Sequence, residues 1–291
     1  MAQLWSVVQT SWDANVDAAT AAAALGALEA GNVLLLEDLR FNTRPDEASL
    51  FTPAILGSSK NASFDPASGR LGGTTAAGSD ASTLSAFIAR FSESAASLVD
   101  RLLPRYRGQV TRGRASFRPA EIAGRNTSWR KDDSRLHVDS FPATPSGGRR
   151  ILRVFTNVNP HGRARAWRIG DEFESVARRF APRLHTPMPG TGRLLALLHV
   201  TKSPRTPYDA LMLQLHDRMK EDDVFQRESP QTAIDFAAGS TWLAFTDQVS
   251  HAATAGQYQL EQTFLLPIDA MADPDRSPLR ILERIKGRRL V

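Results

Sequence analysis

A chain of 291 residues with 42% apolar side chains is long enough to bury one large core or two small ones. It contains no cysteine, which removes disulfides, thiolate-bound zinc, iron–sulfur clusters and thiol nucleophiles, and it fits a reducing cytoplasm; any metal must be held by histidine and carboxylate. A formal net charge of +5 points to an anionic partner, and without zinc-finger spacing or an RNP-type aromatic motif that partner is expected to be acidic lipid or a small acidic substrate, not nucleic acid.

The N-terminal "MAQLWSVVQTSWDANVD" has neither a basic n-region nor an apolar h-region, so no secretory signal is expected, and the apolar runs fall short of the ~20 residues that span a bilayer. "DAATAAAALGALEAGN" predicts a helix stopped at Gly31-Asn32, followed by a buried strand in "VLLLEDL". Residues 57–83 are rich in Gly, Ser and Ala and read as a long surface loop. Leu84, Phe87, Ile88, Phe91, Leu98 and Leu102 then recur at helical spacing up to Pro104.

From about residue 109 the period shortens. "QVTRGRASFRPAEIA", "SRLHVDSF", "RILRVFTNVNP", "GRLLALLHVT", "STWLAFTD" and "YQLEQTFLLP" predict strands, and "GDEFESVARRFAPRL" and "PYDALMLQLHDRMKEDD" predict helices. Short strands between Gly/Pro turns favour an α+β fold with a double-stranded β-helix (jelly-roll) core flanked by helices. One domain is expected over 1–291: a mainly helical flank (1–108), the core with helical insertions (109–267) and a basic C-terminal helix (268–291). That last helix interleaves Leu279, Leu282 and Ile285 with Arg280, Arg284, Lys286, Arg288 and Arg289, a pattern that suits docking on the domain or lying on an acidic membrane.

Chemistry concentrates in "SRLHVDSFPATPSGGRRILRVFTNVNP". In a strand, His137 and Asp139 project from one face, and an imidazole beside a carboxylate suits a divalent metal. A third ligand must come from elsewhere. His161 and His185 lie in turns, His199 within "LLALLHV" reads as a core histidine, and His216 sits on a helix beside Asp217, from which it diverges. His251, between "STWLAFTD" and "YQLEQTFLLP", is where an antiparallel barrel would return beside the first pair. His137, Asp139 and His251 form the two-histidine, one-carboxylate triad of non-haem Fe(II) oxygenases, which leaves positions open for a chelating cosubstrate and O2.

The order of these parts resembles the Fe(II)/2-oxoglutarate-dependent dioxygenases, and "RLHVDSFP…GGRRILRVFTNVNP", "LMLQLHDRMK" and "DQVSHAATAGQYQLEQTFLLP" resemble the Kdo (3-deoxy-D-manno-oct-2-ulosonic acid) hydroxylase family. The resemblance covers residues 105 to 267. It implies Fe(II), 2-oxoglutarate and O2, and hydroxylation at C3 of Kdo on the lipid A core, at the cytoplasmic face of the inner membrane. Many superfamily members hold the distal carboxylate of 2-oxoglutarate with an Arg about ten residues after the distal His, but here that position is Glu261. Arg153, on the strand face it shares with Asn157, is therefore expected to take that carboxylate by a bidentate fork, with Thr263 adding a hydroxyl. Arg114, which alternates with Arg112 and Arg118 on one strand face, is a candidate contact to the anionic substrate, as are Arg125, Arg130, Lys131 and His216. The alternatives are a hydroxylase of another anionic or lipid-linked substrate and a cupin-like sugar-binding module whose metal is structural.

Overall fold

The computed structural model describes residues 1–291 and folds them around two facing β-sheets. The first hundred residues supply β1 (Leu4–Ser6), α1 (Ala18–Glu29), β2 (Val33–Leu36), β3 (Ala62–Asp65), β4 (Arg70–Gly72) and α2 (Gly78–Leu102). The Asp17 carboxylate caps α1 by accepting from the Thr20 amide, and Gly31, at φ 84°, ends it in the left-handed region that glycine tolerates best. α2 buries Leu84, Phe87, Ile88, Phe91, Leu98 and Leu102, as their spacing predicts. The stretch expected to be a surface loop contains the hairpin β3–β4, because Ala62 and Phe64 alternate into the core and pair with the next strand. The N-terminal flank thus adds four strands as well as helices.

The remaining elements are β5 (Thr111–Arg118), β6 (Arg150–Asn157), β7 (Arg165–Ile169), α3 (Phe173–Phe180), α4 (Thr191–Leu197), α5 (Pro207–Glu221), α6 (Asp223–Glu228), β8 (Thr232–Phe236), β9 (Thr241–Phe245), β10 (His251–Ala255), β11 (Gln259–Leu266) and α7 (Pro278–Lys286). The large sheet runs β1-β2-β9-β6-β11-β5-β3-β4 and the small one β10-β7-β8; a bridge between His137 and His251 extends the small sheet beyond β10. Apart from β1–β2, every pairing is antiparallel, which gives the jelly roll.

Period-two alternation assigns the faces. Leu152, Val154, Leu243 and Phe245 point to the large core beneath the helices. Phe155, Trp242, Trp167 and Phe236 point between the sheets, where Phe236 stacks on Trp242 at 4.0 Å. Aromatic packing closes one part of this space and leaves a polar cavity near His137.

Three local expectations fail for tertiary reasons, and of the two outcomes open to the C-terminal helix the docked one is found. "GRLLALLHVT" forms α4 and its C-terminal turn, and His199 is exposed at φ 55°, not a core residue. The sequence pattern missed β7 and β8, whose outward residues are charged or short. An extra residue in β5 opposite β11 breaks the common face of Arg112, Arg114 and Arg118: Arg112 pairs with Glu93 on α2, Arg114 is exposed, and Arg118 turns inward to Glu261. Helix α7 docks, with Leu279, Ile281 and Leu282 in the large core and the Lys286 ammonium donating to the Ala181 and Leu184 carbonyls. No helix is long and apolar enough to cross a membrane.

Candidate metal centre

His137, Asp139 and His251 meet where the two sheets open, with one ligand atom from each lying within 4.8 Å of the others. The backbone fixes them: His137 and His251 exchange both amide–carbonyl bonds at 2.9 Å, and the Asp139 amide donates to the Thr246 carbonyl at 2.7 Å. His137 Nδ1 lies 2.7 Å from the Arg135 carbonyl and His251 Nδ1 lies 2.8 Å from the Val249 carbonyl. A carbonyl only accepts, so each Nδ1 carries the proton and each Nε2 presents a lone pair. Burial, then the neighbouring His251 and Lys220, push His137 well below its ordinary pKa; burial also lowers His251. Burial opposes the charge on Asp139, but the Arg153 guanidinium outweighs it and keeps the carboxyl well below its usual range. Two neutral imidazoles and one carboxylate on a single face suit a divalent cation, so the donor set fits Fe(II).

Beneath the ligands lies a cavity of about 110 Å³ lined by Arg118, Asp133, Arg153, Arg165, Trp167, Gln259 and Glu261 among others. Its charges cancel: three arginines face Asp133, Asp139 and Glu261. A divalent metal therefore leaves a surplus of two positive charges, which a dianion neutralises. Glu261, the position at which the superfamily pattern fails, does not stand bare. Arg118 grips it through Nε and Nη2 at 3.0 and 3.1 Å, and Arg153 Nη1 lies 3.0 Å away. Burial opposes its charge, yet these two guanidinium groups hold it ionised.

Arg153 lies in the cavity, and its Nη2 is 3.1 Å from Asp139. Arg165 on β7 differs from its neighbours because no carboxylate pairs with it. Its Nη1 donates to the Gly256 carbonyl at 2.6 Å, its Nε has no partner, and burial together with Arg118 and Arg125 pushes its pKa down to about 9. Trp167 Nε1 and Gln259 Oε1, which line the same cavity, also lack partners. Pairing of β7 with β10 sets Ile169 opposite His251 and Trp167 opposite Ala253, so Arg165 marks the end of the cavity away from the metal ligands. The sequence reading missed Arg165. Its signal was the alternation Arg165, Trp167, Ile169 after a Gly turn, which the intervening Arg168 disguised as solvated surface.

The other candidates separate into two groups. Asn157 is consumed by backbone: its amide donates to the Arg163 and Phe236 carbonyls and its Oδ1 accepts from the Asn159 amide. Thr263 lies opposite Arg153 in register but does not line the cavity, and Arg125 curls onto the Ala120 and Glu121 carbonyls. Arg114 sits beyond the β5 irregularity. By contrast, His216 packs edge-on against the His137 ring at 5.3 Å and bonds Asp217 through Nδ1. Arg130 and Lys131 stand exposed on a short turn whose carbonyls accept from Lys220 and Lys60, and Lys60 pairs with the cavity residue Asp133.

A jelly roll that carries this triad above a polar, charge-balanced cavity defines a non-haem Fe(II)/2-oxoglutarate-dependent dioxygenase. Residues 11–289 match the family described as 3-deoxy-D-manno-oct-2-ulosonic acid (Kdo) hydroxylase, and the chain belongs to that family. The crystal structure of the Kdo hydroxylase KdoO in complex with cobalt(II) shares 44% identity over 99% of this chain and 97% of that one, with a TM-score of 0.96. KdoO with alpha-ketoglutarate and Fe(III) gives the same values, and KdoO with succinate and Fe(III) a TM-score of 0.95. Comparison with curated proteins gives no match.

Proposed function

We propose that this enzyme hydroxylates the Kdo sugar of Kdo-lipid A, the lipopolysaccharide inner core, at C3, with His137, Asp139 and His251 as the iron ligands and 2-oxoglutarate in the cavity below them. When bound, Fe(II) and 2-oxoglutarate would activate O2, the oxidant, so that one oxygen atom is taken up as 2-oxoglutarate is oxidised to succinate and CO2 and the other is inserted into a substrate C–H bond. The chain does the rest. The Arg135 and Val249 carbonyls fix the tautomers of the two histidines, and Arg153 steadies the Asp139 carboxylate at the metal end. Arg165, the one cavity guanidinium without a carboxylate, anchors the far carboxylate of 2-oxoglutarate, assisted by Trp167 Nε1–H. Arg153 and Arg118, tied together through Glu261, provide the remaining positive field.

The observation that carries this reading is the small cavity with balanced charge, lined by Arg165 without a carboxylate and by Trp167 Nε1 and Gln259 Oε1 without partners, directly beneath three convergent ligand atoms. It has room for a small organic diacid but not for a lipid-linked sugar, so the sugar approaches from the open side, where His216, Arg130 and Lys131 stand. Incubating the Fe(II)-loaded enzyme with Kdo-lipid A, 2-oxoglutarate and O2 should release succinate in step with a product one oxygen atom heavier, with the added hydroxyl at C3. Succinate release that no Kdo-lipid stimulates would refute the substrate assignment.

A further inference from the structure

Between α3 and α5 the chain displays an apolar surface that nothing in the fold covers. Leu194 is 54% exposed, Leu197 75% and Leu198 62%, with Met188 at 80% before the helix and Val200 at 55% after it. None of the five joins either buried core. A helix of seven residues is unstable in water by itself, and in globular proteins such helices are held by an apolar stripe turned inward. Here the stripe faces out and backbone contacts hold the segment. A Cβ at Gly192 would run into the Arg205 carbonyl, the Lys202 amide donates to Ala143 O at 2.9 Å, and Arg205 Nη2 donates to Pro142 O at 2.6 Å. Both acceptors lie in the loop that directly follows Asp139, so the apolar surface is fastened to the rim of the metal site.

The charge around it is one-sided. Residues 188–205 contain Arg193, Lys202 and Arg205 and no Asp or Glu, whereas the preceding Arg178 and Arg183 are paired with Glu174 and Asp222. Arg193 and Lys202 are exposed beside the leucines, and neither they nor Arg205 forms an ion pair. A second copy of the chain seated symmetrically here would bring these cations against their own equivalents. An anionic lipid surface instead meets them with phosphates and takes up the leucines among its acyl chains.

We propose that residues 188–205, centred on α4, form the surface by which the enzyme docks on an anionic bilayer, setting the open side of its metal site against a membrane-borne substrate. The purpose of docking rests on the lipid-linked substrate proposed above; the binding itself requires neither substrate nor metal. Helix α7 cannot serve in this way, because its leucines are spent on the core.

The experiment is co-sedimentation of the full chain with vesicles of phosphatidylcholine and phosphatidylglycerol, and with phosphatidylcholine alone, at low and high salt. Wild type should bind the anionic vesicles and be released by salt. Arg193→Gln/Lys202→Gln should weaken binding about 30-fold, since each near-surface cation contributes about five-fold. Leu197→Ser/Leu198→Ser should abolish it. Both double variants should bind Co(II) and 2-oxoglutarate as wild type does, which checks the fold and keeps this test separate from the hydroxylase assignment. Wild type that stays in the supernatant, or double variants that bind like wild type, would overturn the proposal. So would a wild-type dimer that Leu197→Ser/Leu198→Ser dissociates, which would make the surface a self-association face.

Discussion

Replacing Arg165 with glutamine should separate cosubstrate binding from folding. Arg165 is 2% exposed, donates one hydrogen bond to a carbonyl, and forms no ion pair with a carboxylate. Glutamine can keep a donor near the Gly256 carbonyl and removes a charge that burial opposes and no ion pair holds, so the metal-free protein should be about as stable as wild type. The loss should appear only when 2-oxoglutarate binds. A charge-assisted bond to a carboxylate contributes about 1.5–3 kcal/mol, so the dissociation constant should rise about 10- to 150-fold. The assay is an anaerobic titration of 2-oxoglutarate into Fe(II)-loaded protein, with metal affinity measured separately. Arg153→Gln serves as the comparison: it leaves Asp139 and Glu261 short of a counter-charge, and should weaken metal and cosubstrate binding together. If Arg165→Gln bound 2-oxoglutarate like wild type while Arg153→Gln took the whole loss with metal affinity intact, Arg153 would be the anchor, as the pattern of its own strand predicts.

His137→Ala, Asp139→Ala and His251→Ala should each abolish metal-dependent turnover and lower Co(II) affinity by orders of magnitude while the circular dichroism spectrum stays native; full iron binding by His251→Ala would refute the triad. Because the folded-state pKa values of His137 and His251 lie below the ordinary value near 6.5, the unfolded chain takes up protons first as pH falls, so the melting temperature of the metal-free protein should drop below about pH 6.5. His137→Gln/His251→Gln should flatten that part of the profile, and an unchanged slope would show that other groups cause it. Leu282→Ala, in the large core, should cost about 2–5 kcal/mol in denaturant unfolding and leave vesicle binding of the folded protein unchanged; selective loss of vesicle binding would restore the membrane role that the basic residues of this helix had suggested.

The parts of this protein that depend on local spacing were readable before folding. His137 and Asp139 are two residues apart, and any extended backbone puts such side chains on one face. The periodicity of α2, the strand at β6 and the change from helical to strand pattern near residue 109 follow from the same arithmetic. The failures share one cause: a pattern says which residues are apolar or charged, not what lies opposite them. Arg153 read as a lone cation on its strand and Arg165 was missed along with its strand, and only the closed jelly roll gives the first two carboxylate partners and the second none. The leucines of α7 and α4 are equally apolar in sequence, yet α7 meets the large core while α4 stands outside it. One extra residue in β5 undid an alternation that would otherwise have put Arg112, Arg114 and Arg118 on one face. Short-range geometry is carried by covalent connection and backbone sterics, so sequence suffices for it; partners distant along the chain are set by packing, which exists only once the sheets have closed.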